Sequence, residues 1–85
     1  MEDRVLKVLN NLNEDIILYD GNYMLDEGII DSLEVIDIVA ALEKEFNISI
    51  GAKYIVKENF TNKESITNFM IKLLNQEKNK NDKDN

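Results

Sequence analysis

Ser32 stands in the run Leu25-Asp26-Glu27-Gly28-Ile29-Ile30-Asp31-Ser32-Leu33-Glu34, just past a glycine and at the start of an apolar-periodic stretch. A serine hydroxyl becomes a nucleophile when a neighbouring base takes its proton. This chain contains neither histidine nor cysteine, so it has no Ser-His or Cys-His pair and no thiolate metal site. A zinc site would have to rest on carboxylates alone. Ser32 therefore has no evident internal base to activate it. The plainer reading of the same residues is structural. Asp31 as N-cap with Glu34 three positions on makes an aspartate version of the capping box, and Ser32 is then an ordinary first-turn residue.

The element that must carry Ser32 is the clearest helix of the chain, predicted over residues 32–46. Val35, Ile38, Val39, Leu42 and Phe46 fall at the spacing of one buried face. At about 100° per residue, Leu33, Ile36 and Ala40 gather on nearly the opposite side, where a helix serving a single core should be polar. Glu34 and Asp37 flank that second stripe on one edge and Glu43 lies on the other. An apolar strip rimmed with acids has the composition of a docking surface; alternatively, Leu33 and Ile36 tuck under the preceding loop. The helix N-terminus also offers unpaired N–H groups and partial positive charge, which suit an anion attached there.

Other elements follow from periodicity. Val5, Val8, Leu9, Leu12 and Ile16 form a helical stripe that ends between Leu12 and Asp15, weakened late by Asn10, Asn11 and Asn13. Residues 17–30, with turn signals at Asp20-Gly21-Asn22 and Gly28, read as a long loop laid over the core. Ile48 and Ile50 alternate with Ser49, and Gly51 breaks the chain. The patch Tyr54, Ile55, Val56 and Phe60 around Lys57-Glu58-Asn59 has room for one or two helical turns. Thr61-Asn62-Lys63-Glu64 is a capping-box pattern opening a last helix that buries Ile66, Phe69, Met70 and Leu73 and fades by Gln76. Three substantial helices, a short fourth and a long first loop make an all-α, small four-helix bundle. Proline is absent, so no helix interior is broken by one.

Size and charge narrow the function classes. Eighty-five residues make one domain near the lower limit for a self-sufficient core. Net charge is −7, and the polar stretch 77–85 sums to zero, so residues 1–76 hold all of it. That field disfavours nucleic acid and attracts basic protein surfaces. Residues 77–85 have no apolar member and are predicted to be a disordered polar tail. No apolar run is long enough to span a membrane, and Met1-Glu2-Asp3-Arg4 lacks the basic start of a signal peptide, which predicts a cytoplasmic protein. Asp20, Asn22, Asp26 and Glu27 do not match a calcium-loop spacing and read as solvated loop residues. No metal is expected, and nothing in the chain demands more than a monomer.

Taken together, Gly28, Asp31-Ser32-Leu33, the helix ending Leu42-Glu43-Lys44-Glu45-Phe46, the pair Ile48-Ser49-Ile50, Thr61 and the helix from Ser65-Ile66 resemble the acyl carrier, or phosphopantetheine-binding, family across about residues 3–75. The resemblance implies an acyl-carrier-like bundle over residues 1–76 and 4'-phosphopantetheine, taken from coenzyme A, on Ser32 beside Asp31. Leu33, Glu34, Ile36, Asp37, Ala40 and Glu43 are then the partner-facing positions. It implies a non-catalytic carrier of thioester-bound acyl or aminoacyl cargo. Its partners would be a phosphopantetheinyl transferase, a loading ligase, and downstream transferases or synthases with basic docking patches. The two residues between Gly28 and Asp31 resemble the D-alanyl carriers of cell-wall modification and other stand-alone carriers from biosynthetic clusters, whereas Leu33-Glu34 and Phe60 depart from the D-alanyl subtype. An unmodified helical adaptor, using the Leu33/Ile36/Ala40 strip alone, is the competing reading from another class.

Overall fold

The computed structural model describes residues 2–84, with side chains through Gln76. It contains four α-helices, α1 (Glu2–Leu12), α2 (Glu14–Leu18), α3 (Ser32–Phe46) and α4 (Lys63–Asp84), with 3-10 turns at Ala52–Tyr54 and Lys57–Phe60. Among the described residues there is no strand. The all-α bundle with a long first loop is therefore the architecture observed; α4 runs to Asp84, past the end expected near Gln76, and the side chains of the expected tail at 77–85 lie outside the described residues.

Helix α1 packs against each of the other three helices. Val5 and Leu9 are fully buried on it, and Glu2 and Asp3 sit in its first turn, where carboxylates favour the helix dipole. Leu12 was expected on the buried stripe but is largely exposed, because the helix ends on it. Asn13 does more than weaken that end. It takes an extended backbone, and its Oδ1 accepts from the Asp15 N–H at 3.0 Å, which starts α2 and turns Ile16 into the core. The short α-helix thus lies at 14–18, and the 54–60 patch forms 3-10 turns, with Phe60 buried on Phe69 at a ring separation of 5.5 Å.

The first loop is fastened to the core along its length. The Met24 N–H donates to the Thr61 carbonyl at 3.1 Å, and the Met24 carbonyl accepts from Ile29 at 2.8 Å and Ile30 at 3.3 Å. Met24 and Ile30 are themselves buried. Gly28 has φ +77°, a left-handed turn that glycine adopts without strain. Gly21 lies against the Tyr19 phenol so closely that a Cβ there would collide with the ring. The Tyr19 hydroxyl accepts from the Tyr23 N–H at 2.9 Å, and burial together with the Glu27 carboxylate raises its pKa.

The cap of α4 is displaced by one residue from the expected Thr61–Glu64 box. Asn62 Oδ1 accepts from the Ser65 N–H at 2.8 Å, and Ser65 Oγ accepts in return from the Asn62 N–H at 3.2 Å and the Thr61 N–H at 3.0 Å. Asn62 also donates through Nδ2 to the Gly21 carbonyl at 3.1 Å and to Asn22 Oδ1 at 2.9 Å. It therefore serves the loop and the helix at once. Asn62→Ala is expected to cost about 1–2 kcal/mol, and Thr61→Val less than half as much, measured as shifts in the urea midpoint at constant m-value. Equal losses for the two would place the cap at Thr61.

Candidate functional site

Helix α3 begins on Asp31, whose extended backbone (φ −119°, ψ −177°) lets Oδ1 accept from the Glu34 N–H at 2.8 Å. The Asp31 carbonyl accepts the first intrahelical bond, from the Val35 N–H at 3.1 Å. Ser32 is the first helical residue and is exposed. Its own N–H and that of Leu33 belong to the first turn, where helices have no intrahelical acceptor. The hydroxyl thus stands in solvent at the positive end of a fifteen-residue helix. Among the described residues, none covers Ser32.

Two apolar surfaces meet at Ser32. On one side lies the strip read from the sequence: Leu33 is 77% exposed and Ile36 is 56% exposed, and Ala40 is exposed with them. Neither Leu33 nor Ile36 tucks under the loop. On the other side lies a cleft of about 290 Å³ whose lining includes Leu25, Ser32, Val35, Ile55, Val56 and Phe60, with Ile36 shared between cleft and strip. The cleft was not foreseen, since it joins loop, helix and 3-10 turn residues far apart in sequence. Its remaining lining residue is Lys57, whose Nζ lies 2.8 Å from Asp26 Oδ1. That hydrogen bond to the Asp26 carboxylate raises the lysine's pKa.

The acids around the strip differ in what they do. Glu34 does not reach back to close a capping box. Its Oε2 accepts instead from Asn13 Nδ2 at 2.8 Å, tying the start of α3 to the α1–α2 junction. Glu43 Oε2 accepts from the Ile50 N–H at 2.8 Å and anchors the chain leaving the helix. The helix itself ends on Asn47 in the left-handed conformation, φ 54°, with its N–H on the Glu43 carbonyl. Asp37 is the exposed acid of the three. In the first loop, Asp26 is engaged by Lys57 and Asn22 by Asn62. Among the described residues no group of three or more His, Cys, Asp or Glu is placed to hold a metal ion, and no helix is long and apolar enough to cross a membrane.

These roles separate by mutation. Glu43→Ala leaves the backbone N–H of buried Ile50 without its carboxylate and is expected to cost about 1–3 kcal/mol. Glu43→Gln keeps an acceptor and most of the stability. Asp37→Ala changes stability by less than about 0.5 kcal/mol. Thermal unfolding followed by circular dichroism distinguishes the three.

Comparison with known proteins points the same way. The chain is similar to the D-alanyl carrier protein of Streptococcus suis (strain 05ZYH33), with 24% identity over 75 residues, spanning 82% of this chain and 95% of that protein. No family model matches the chain, and no solved structure matches it. The similarity extends over nearly the whole relative and bears out the resemblance to carrier proteins drawn from the residues around Ser32.

Proposed function

We propose that this chain is a discrete carrier protein, modified with 4'-phosphopantetheine on Ser32, that shuttles thioester-bound acyl or aminoacyl cargo between partner enzymes in the cytoplasm. The observation that carries the reading is the position of Ser32: exposed at the N-terminus of α3, between an exposed apolar strip and an apolar cleft. The residues present fit the group. The helix N-terminus favours a phosphodiester anion by about 0.3–1 kcal/mol, and the open surroundings admit a second protein. When bound, the arm supplies a terminal thiol on which cargo is held.

Attachment forms a bond between Ser32 Oγ and the phosphorus on the pantetheine side of coenzyme A. The pyrophosphate P–O bond breaks, and the nucleotide half leaves. The chain has no histidine to accept the Ser32 proton, so a base of the transferase takes it. Ser32 is then a substrate, and the protein is not a catalyst. Asp31 holds the first turn in place, Leu33, Ile36 and Ala40 supply apolar contact, and Asp37 with the net charge of −7 draws in a basic partner face. Glu34 and Glu43 contribute to that field while also bracing the fold. D-alanyl cargo is the narrower reading, supported by the name of the Streptococcus suis relative and by the Gly28-Ile29-Ile30-Asp31-Ser32 spacing.

Incubation with coenzyme A and a promiscuous phosphopantetheinyl transferase is expected to add one phosphopantetheinyl group by intact mass, and none to Ser32→Ala. No gain, or a gain that persists in Ser32→Ala, refutes the assignment. Loading assays with D-alanyl, other aminoacyl and fatty-acyl ligases then separate the cargo classes. Ile36→Glu is expected to weaken partner binding about tenfold or more while changing stability by less than about 0.5 kcal/mol. The adaptor reading prevails if Ser32→Ala preserves function in cells and Ile36→Glu abolishes it.

A further inference from the structure

The cleft beside Ser32 has apolar walls and one charged residue in its lining, Lys57. The base of that side chain is held firmly, because Lys57 opens the 3-10 turn that ends on Phe60, which is 1% exposed and packed on Phe69. The ammonium end is free to move: the side chains of Lys57 and Asp26 are 56% and 51% exposed, and one ion-pair contact of 2.8 Å joins them. A lysine ammonium has three donors, so the Asp26 contact leaves two for other acceptors. Ser32 lines the same cleft and follows Asp31, whose carboxylate already caps the helix. A further anion on Ser32 adds negative charge next to a carboxylate, and Lys57 is the cation that shares its cleft.

We infer that Lys57 is a positioning residue for the phosphodiester proposed on Ser32, its ammonium bridging that anion and the Asp26 carboxylate so that the arm is laid along the apolar cleft. This inference rests on the carrier reading and goes beyond it, for it assigns a role to a residue outside α3. Asp26 holds the lysine over the cleft before modification, and the phosphodiester recruits a second donor of the same ammonium afterwards. Leu25 and Val56, the neighbours of the two ion-pair partners, both line the cleft.

Amine labelling reads this contact directly. The apo protein and the protein modified with coenzyme A and transferase are treated with an N-hydroxysuccinimide acetate, and acetylation of each lysine is followed by peptide mass spectrometry. Modification is expected to slow labelling of Lys57 about threefold relative to Lys44, at the far end of α3, the size set by an exposed ion pair. The slowing persists in Asp26→Asn, where the phosphodiester alone holds the ammonium. In parallel, Lys57→Gln is expected to shift the phosphorus NMR resonance of the modified protein, and Lys53→Gln is not. Equal Lys57 labelling before and after a verified mass gain overturns the role of Lys57 and leaves the carrier reading standing. Absence of any mass gain overturns both.

Discussion

Met24 ties the two halves of the molecule together. Its N–H is held by Thr61, just ahead of α4, and its carbonyl holds Ile29 and Ile30, just ahead of α3. Its side chain is fully buried. A loop of this length would otherwise carry unpaired polar backbone over an apolar core. The Met24 bonds satisfy that backbone and also determine where Ile30 enters the core, and Asp31 and Ser32 follow directly from Ile30. Asn62 reinforces the arrangement from the other side, since the same amide caps α4 and grips Gly21 and Asn22. The exposure of Ser32 is thus a consequence of how the loop is fastened.

Helix α3 divides its apolar residues between two tasks. Val35, Ile38, Val39 and Leu42 are buried, each contributing about 1.5–3 kcal/mol relative to exposure. Leu33 and Ile36 are left in water, so the fold gains little from them. Singly exposed apolar side chains are ordinary. Here Ile36 and Ala40 continue, at one-turn intervals, the row that starts on Ser32, and about 12 Å of helix separates its ends. In the proposed function, such a row orients the partner with the Ser32 hydroxyl beneath it.

Helix α3 was legible in the sequence because its stripe, its aspartate cap and its closing asparagine are all local. The bundle followed from the same periodicity in α1 and α4. Local signals misled where one residue type has two uses. Asn13 reads as a helix breaker, yet it is the cap of α2 and the donor to Glu34. Thr61 and Asn62 are adjacent capping residues, and the choice of Asn62 depends on its reach to Gly21 and Asn22, about forty positions away. Glu34 and Glu43 look alike as rim acids, and their bonds to Asn13 and Ile50 arise from packing that no spacing encodes. The cleft stayed hidden for the same reason, because Leu25, Ser32 and Lys57 become neighbours only once the loop is closed.

Ile36 belongs to both apolar surfaces, and this has a consequence for the proposed function. A partner that docks on Leu33, Ile36 and Ala40 must cover one lip of the cleft. Val56 and Lys57 also line the cleft, and Lys57 is joined to the loop by Asp26. A protein without histidine, with Ser32 exposed at a helix start, suits the proposed division, in which the chain supplies placement and charge and the visiting enzyme supplies the chemistry.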